Sequence, residues 1–200
     1  MSSATGSRGV DRAILWLVLS IPLAAQTWRF AGEQIYYGEY LHWSGQWGAR
    51  LLIATLAVTS LRRLLPRAAA SLWLVRRRRD LGLITFAYAA AHTFAYLAFK
   101  ADFVLVAGEA MEAGLLTGWI AGLVMLVLAL TSNDASVRRL GRGWRSLHRT
   151  VHAVAILTFA HWILTAFDPQ AGWLHAGALA VLLLPRLLPR RSASRSGPTD

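Results

Sequence analysis

Residues 86–97 read FAYAAAHTFAYL, and residues 155–166 read AILTFAHWILTA. Both are apolar runs, and each has a single histidine, His92 or His161, near its middle. An ionisable side chain inside a lipid bilayer is costly, so it usually pairs with another group, lines water or binds a metal. The two runs therefore predict membrane-buried helices in which each histidine has a specific partner.

The composition of the whole chain indicates the same class. Of its 200 residues 56% are hydrophobic and 16% are charged, and the mean hydropathy is +0.43. A soluble domain of this size cannot hide so much apolar surface, which argues against a water-soluble enzyme. The net charge of +11 does not indicate nucleic acid as a partner, because the basic residues lie between apolar runs, as in membrane proteins. The lack of cysteine excludes disulfides, iron–sulfur clusters, thiolate zinc and covalently attached haem.

Six apolar stretches predict an all-α fold, an integral membrane bundle of six transmembrane helices. They are residues 13–28, 47–65, 81–99, 115–131, 150–167 and 172–188. A spanning helix needs roughly 17–25 residues, so the first stretch is the shortest, and its alternative interpretation is a signal-peptide core. We expect a cytoplasmic N-terminal segment (1–12), a transmembrane domain (13–188) and a disordered cytoplasmic tail (189–200).

The basic residues predict how the bundle is oriented. Eighteen of the 21 lie at the termini and in alternate connections, and the other connections hold only Arg29, Arg50 and Lys100 beside most of the acidic residues. By the positive-inside rule, both termini are cytoplasmic and the acidic loops face outward. The arginine-rich loops are expected to set topology and contact lipid headgroups, or alternatively to dock a cytoplasmic donor or hold a cofactor phosphate.

His92 and His161 are predicted at matched depth. Each follows the start of its stretch by 11 residues, and both helices are predicted to run outward. At about 1.5 Å per residue, both lie roughly 16 Å from the inner boundary. Two neutral imidazoles at one depth can take both axial positions of a haem b iron. The matched pair favours haem; the alternative is that each histidine hydrogen-bonds a neighbouring helix.

Large and small neighbours of the two histidines suit a flat ligand. We expect apolar walls from Phe86, Phe94, Phe159 and Trp162. Alanines beside the histidines leave room for a large disc between the helices.

Four further histidines have weaker signals. His148 lies 13 residues before His161, about 20 Å along the helix axis, where it would serve a second haem or be an interfacial side chain among arginines. His152 is interpreted as structural. His42 and His175 are predicted near the outer surface, where they are solvated or assist a quinone or partner site.

Three strings resemble one family: HWSGQWGARLLIATLAVTSLRRL from residue 42, RRRRDLGLITFAYAAAHTFAY from residue 76 and RRLGRGWRSLHRTVHAVAILTFAHW from residue 138. They are similar to MsrQ, also called YedZ, the haem-binding membrane subunit family of the periplasmic methionine sulfoxide reductase system. That family belongs to the wider ferric-reductase-like transmembrane group. The resemblance covers about residues 40–167.

The resemblance implies roles for three histidines. His92 and His161 would be the axial ligands of an outer haem iron, and His148 would serve a second haem. In two-haem relatives the inner ligand on the third helix lies fourteen residues before the outer one. That position is Arg78 here, which is not a usual iron ligand.

The resemblance also implies partners. Electrons would pass from the membrane quinone to a periplasmic molybdenum-containing methionine sulfoxide reductase catalytic subunit, which repairs oxidised envelope proteins at the bacterial inner membrane. FMN is a cofactor by resemblance alone, and a cytoplasmic flavin reductase is a further implied partner. No dehydrogenase domain is expected after the sixth helix, so the chain is expected to be an electron-transfer subunit rather than a stand-alone enzyme.

Two alternatives stay open. The first is a ferric-reductase-like electron carrier for another acceptor. The second is a haem-free transporter or channel that uses its intramembrane histidines as proton relays.

Overall fold

The computed structural model describes the backbone of residues 3–186 and the side chains of residues 9–186. All regular structure in this part of the chain is helical. The elements are α1 (Ser3–Ala31), α2 (Tyr37–Leu64), α3 (Ala69–Lys100), α4 (Phe103–Glu109), α5 (Ala113–Leu130), α6 (Asp134–Leu140), α7 (Arg142–Arg149), α8 (Val151–Thr165), α9 (Gln170–Leu183) and a 3-10 turn (Leu184–Arg186). The prediction of an all-α fold is confirmed.

The longer helices lie where the apolar stretches predict them. The six stretches fall on α1, α2, α3, α5, α8 and α9, in that order. The sequence interpretation missed the short helices α4, α6 and α7, which lie in the connections. Two of these have side-chain caps, since Asp102 accepts from the backbone N–H groups at the start of α4 and Asn133 does the same for α6. Residues 187–188 of the sixth stretch and the predicted tail 189–200 lie outside the described residues.

Three segments of the described chain are long and apolar enough to cross a membrane: Gly9–Ala31, Ala69–Lys100 and Ala113–Leu130. Large apolar side chains on α1 point away from the protein, as Leu17 and Ile21 do, each about 60% exposed. Both features identify a membrane protein. Helices α8 and α9 have 15 and 14 residues, fewer than a span ordinarily needs. Six spans with cytoplasmic termini therefore stay a prediction.

Helix α2 lies at the centre of the packing. The most extensive helix pairs are α2 with α3 and α5 with α8, and α2 also contacts α8. The main buried core joins α2, α5, α8 and α9 through Ala49, Leu52, Leu56, Ala121, Leu128, Val154, Ala155, Phe159 and Leu179. Because α2 contacts both α3 and α8, it holds the two helices that carry His92 and His161.

The buried carboxylate of Asp80 ties α1 to the arginine-rich end of α3. Its Oδ1 accepts from Arg12 Nε at 2.9 Å and from Trp16 Nε1 at 3.2 Å, and its Oδ2 lies 3.9 Å from Arg77 Nη1. Further along α1, Tyr88 donates its hydroxyl to the Leu19 carbonyl at 2.8 Å. A buried charge is tolerated only when it is paired, so the position of α1 depends on this cluster.

Replacing Asp80 with asparagine is expected to lower the free energy of unfolding by about 2 kcal/mol, because charge-assisted hydrogen bonds are lost. Thermal unfolding in detergent micelles measures the effect as a lower Tm. The matched control is Asp134→Asn. Asp134 also pairs with an arginine (Arg79 Nη1 to Oδ1, 2.6 Å), but its side chain is 77% exposed, so a much smaller loss of stability is expected. Equal losses in the two variants would contradict a special role for Asp80.

Candidate functional site

The structure brings His92 and His161 together. His92 lies on α3 and His161 on α8, with ring centroids 6.2 Å apart and ring planes perpendicular. Both rings line one cavity. The pair that the sequence spacing predicted is thus adjacent in space, while its role in binding iron stays a prediction.

Each ring of the pair is oriented by one hydrogen bond to a backbone carbonyl. His92 Nδ1 donates to the Leu41 carbonyl at 3.0 Å, and His161 Nδ1 donates to the Gly114 carbonyl at 2.8 Å. A carbonyl oxygen can only accept, so the proton of each neutral ring is on Nδ1. Each Nε2 therefore keeps its lone pair, which is the form of imidazole that binds a metal.

Both rings rest on a glycine that lies four residues after the accepting carbonyl. A Cβ atom at Gly45 would lie 3.2 Å from His92 Nδ1, and one at Gly118 would lie 2.6 Å from His161 Nδ1. An accepting carbonyl followed one turn later by a glycine thus occurs twice, once on α2 and once on α5. We call this pair of features a ring seat. Sequence reasoning missed both ring seats, although Gly45 and Gly118, each inside a long helix, were a visible signal.

The cavity between the helices has a volume of about 1200 Å³, above the range of roughly 300–1,000 Å³ that drug-sized ligands need. Of the predicted walls, Phe86, Phe94 and Trp162 line it. Phe159 does not: it is buried in the core of α2, α5, α8 and α9. Two residues turn a helix by about 200°, so Phe159 faces away from the side of α8 that presents His161.

Three charged residues line the part of the cavity where α3 and α4 end and α5 begins. Lys100 Nζ donates to Glu109 Oε1 at 2.8 Å, and the Tyr96 hydroxyl donates to Glu109 Oε2 at 3.1 Å. The hydrogen bond from Lys100 holds the pKa of Glu109 below its usual range. Glu112 also lines this end. The sequence interpretation treated these residues as loop charges, whereas the structure makes them part of the cavity.

His148 lies apart from the pair. Its ring stacks on Trp144, with centroids 4.0 Å apart, and its Nε2 lies 3.1 Å from the hydroxyl of Thr131 at the end of α5. Gly114, the partner of His161, is at the other end of α5, about 25 Å away by helical rise. Any metal bound by His148 would therefore be a separate one.

The environment of His148 favours a neutral ring. Burial lowers its pKa, and the positive charges of Arg78 and Arg79 lower it further. Arg78, which stands where two-haem relatives have their inner ligand, is thus one of the charges that act on His148. The role of His148 as a haem ligand stays a prediction.

His152 lies in a network of hydrogen bonds between α8, α2 and the 3-10 turn. Its Nδ1 donates to the Arg149 carbonyl at 2.9 Å, and its Nε2 accepts from Arg186 Nη1 at 2.6 Å. Arg186 also donates to the Leu56 carbonyl and to Ser60 Oγ. These bonds join the last turn of the described chain to α8 and α2.

His42 and His175 belong to one polar chain. Gln46 Nε2 lies 2.8 Å from His42 Nε2, and Gln46 Oε1 accepts from Arg50 Nη2 at 3.3 Å. Arg50 Nε donates to His175 Nε2 at 3.4 Å. The sequence interpretation considered the two histidines separately, and the structure joins them across α2 and α9.

The donor set of the pair suits a metal that brings further ligands with it. Among the described residues, no three His, Asp or Glu side chains are grouped to hold a bare metal ion. A bare ion such as zinc ordinarily takes three or four protein ligands. Two adjacent imidazoles in one large cavity would suit instead a metal whose other positions are filled by a macrocycle.

Fold and site define a class: an all-helical membrane protein in which two imidazoles meet inside an apolar cavity. The model of the family described as ferric reductase like transmembrane component matches residues 44–159. The chain belongs to this family. The match includes His92 and ends two residues before His161.

Three relatives are each named protein-methionine-sulfoxide reductase heme-binding subunit MsrQ. The one from Xanthomonas campestris pv. campestris strain B100 is 39% identical, over 79% of this chain and 72% of its own length. The one from Cronobacter sakazakii is 35% identical over 86% and 91%, and the one from Xanthomonas oryzae pv. oryzae is 32% identical over 98% and 94%. No solved structure matches the chain.

Replacing Gly118 with alanine is expected to displace the His161 ring, because the new methyl group would lie 2.6 Å from Nδ1. Overpacking of this kind costs about 1–3 kcal/mol, which thermal unfolding in micelles measures. Gly122, one turn later on the same helix, is the matched control, since nothing lies within 4 Å of a Cβ there. Gly122→Ala is expected to be neutral or stabilising, because alanine favours helix. Equal stability of the two variants would contradict the close contact between Gly118 and the His161 ring.

Proposed function

We propose that this chain is the haem-binding electron-transfer subunit of a membrane methionine sulfoxide reductase system. The observation that carries the proposal is the imidazole pair, in which each Nδ1 donates to a backbone carbonyl and each Nε2 keeps its lone pair. The relatives are named as heme-binding subunits of a protein-methionine-sulfoxide reductase, which supports the same cofactor and system.

The spacing of the pair fits a single haem b iron. A metal–nitrogen bond of about 2.0 Å, plus about 1.1 Å from nitrogen to ring centre, separates opposite imidazole centroids by about 6 Å. The observed separation is 6.2 Å. Held there by His92 and His161, haem b would supply a one-electron redox centre.

The protein's own groups favour electron relay over reaction with a substrate. Haem b held by both His92 and His161 would supply electron transfer rather than binding of a substrate or dioxygen. The hydrogen bonds from Nδ1 to Leu41 and Gly114 hold the two rings in place. Apolar side chains, among them Phe86, Phe94 and Trp162, form much of the cavity wall.

Charge asymmetry supports the proposed orientation in the membrane. We propose six spans, both termini in the cytoplasm and the bacterial inner membrane as location, because basic residues concentrate in alternate connections. The acidic outer connections would then face a periplasmic molybdenum-containing catalytic subunit. The membrane quinone as donor, FMN and a cytoplasmic flavin reductase are taken from the family resemblance alone.

Single substitutions of His92 and His161 by alanine are expected to abolish the low-spin haem b spectrum of the purified protein, because each would remove one of the two residues proposed to hold the iron. Reduced-minus-oxidised spectra and pyridine haemochrome stoichiometry measure this. His42→Ala is the control, since His42 also lines the cavity but bonds Gln46. Normal haem content in the first two variants would reject the ligand assignment, and a colourless wild type would favour the proton-relay alternative.

The same stoichiometry tests the second haem. If two haems per chain fall to one in His148→Ala, His148 is assigned to the inner haem. If the wild type holds one haem and His148→Ala does not change it, His148 has no such role. Co-purification with a molybdenum-containing partner distinguishes the methionine sulfoxide system from a ferric-reductase-like carrier with another acceptor.

The proposed topology predicts which side of the membrane a probe reaches. The chain has no cysteine, so one introduced thiol gives an unambiguous signal. In intact cells, an impermeant maleimide is expected to label Gly108→Cys on α4 and to leave Ala135→Cys on α6 unlabelled. The second variant should react only after the membrane is permeabilised. Labelling of both in intact cells would contradict six spans with cytoplasmic termini.

A further inference from the structure

One cation stands among the residues that line the cavity. The charged side chains of the lining are Lys100, Glu109 and Glu112. Lys100 is also the only lysine of the entire sequence; every other basic residue counted in the net charge is arginine. Two of these groups are carboxylates, so Lys100 is the charged group of the described lining that can pair with the anionic end of an amphipathic molecule in the cavity.

Lys100 belongs to the stripe of α3 that starts at His92. His92, Tyr96 and Lys100 follow one another at intervals of four residues and therefore share one helix face. Helical side chains lean toward the N-terminus, which directs Lys100 back along the stripe toward His92. The structure shows this, since Lys100 Nζ lies 5.9 Å from the centroid of the Tyr96 ring.

The ion pair with Glu109 leaves Lys100 with N–H donors for a second carboxylate. An ammonium group has three N–H donors, and the structure uses one of them on Glu109. Glu109 in turn accepts from Tyr96 as well as from Lys100. Glu109 thus keeps a donor even where Lys100 turns toward another anion. Both side chains of the ion pair are about one quarter exposed, so the pair is partly shielded from water.

We propose that Lys100 binds a carboxylate of the molecule that occupies the cavity, in an inference that rests on the haem function proposed above. For haem b this carboxylate is a propionate. A carboxylate in an apolar cavity is costly unless it is paired, and Lys100 is the cation of the lining that can pair with it. The residue positions the cofactor, while His92 and His161 hold its iron.

The test compares two porphyrins in the full-length protein. Apoprotein is reconstituted with iron protoporphyrin IX or with its dimethyl ester, which has no free carboxylate. Lys100→Met is expected to speed dissociation of the diacid about tenfold, because a charge-assisted hydrogen bond is lost. Dissociation of the ester is expected to stay unchanged. Lys100→Arg is expected to restore the wild-type rate. Glu112→Gln, which changes charge on the same lining, is the control and is expected to stay within about twofold.

The redox midpoint potential gives an independent reading. A cation near the iron favours the less positive, reduced form, so Lys100→Met is expected to lower the potential of the diacid complex. A tenfold change in the ratio of oxidised to reduced protein corresponds to about 59 mV for one electron. The ester complex is expected to respond less, because the freed propionate contributes part of the effect.

Labelling of the unaltered protein avoids any folding defect of the variants. An amine-selective reagent modifies Lys100 as the only side-chain amine, and peptide mass spectrometry separates it from the terminal amine. The diacid is expected to protect Lys100, and the ester is not. Equal protection by both porphyrins, or equal dissociation of both from Lys100→Met, would overturn the inference while leaving the proposed function intact. Failure of the wild type to bind either porphyrin would overturn both.

Discussion

Two hydrogen bonds, from His92 Nδ1 to the Leu41 carbonyl and from His161 Nδ1 to the Gly114 carbonyl, fix the orientation of the two imidazoles that line the cavity. An imidazole without such a partner would rotate freely and exchange its proton between two nitrogens. Bonded to a carbonyl, the ring keeps one tautomer and one orientation, and its Nε2 lone pair is available to a metal. The helix supplies this acceptor without losing its own structure, because a carbonyl oxygen has two lone pairs.

The close packing of the helices follows from the same requirement. A ring can reach the backbone of a neighbouring helix only where no side chain intervenes, which is why Gly45 and Gly118 stand one turn after the two acceptors. Glycine in a helix interior costs about 1 kcal/mol relative to alanine. In return, the two glycines allow α3 to approach α2 and α8 to approach α5. The missing side chains also enlarge the cavity.

Charged groups are kept to the ends of the bundle. The Asp80 cluster ties α1 to the arginine-rich end of α3, and the pair of Lys100 and Glu109 lies at the opposite end of that helix. Between these ends, the cavity lining on α3 and α8 includes the two imidazoles. Neutral rings with hydrogen-bonded protons are far less costly in the lipid interior than ions, so this distribution suits a membrane protein.

Much of this could be predicted from sequence. The all-α class, the positions of the long helices and the pairing of His92 with His161 follow from run length and spacing, which are local properties of the chain. The rotation of each helix is different, because it is set by contacts between residues far apart in sequence. Only the tertiary structure therefore shows that Phe159 turns into the core, that Gly45 and Gly118 seat the rings, and that Lys100 lines the cavity. Packing of one helix against another decides which side of each reaches the site.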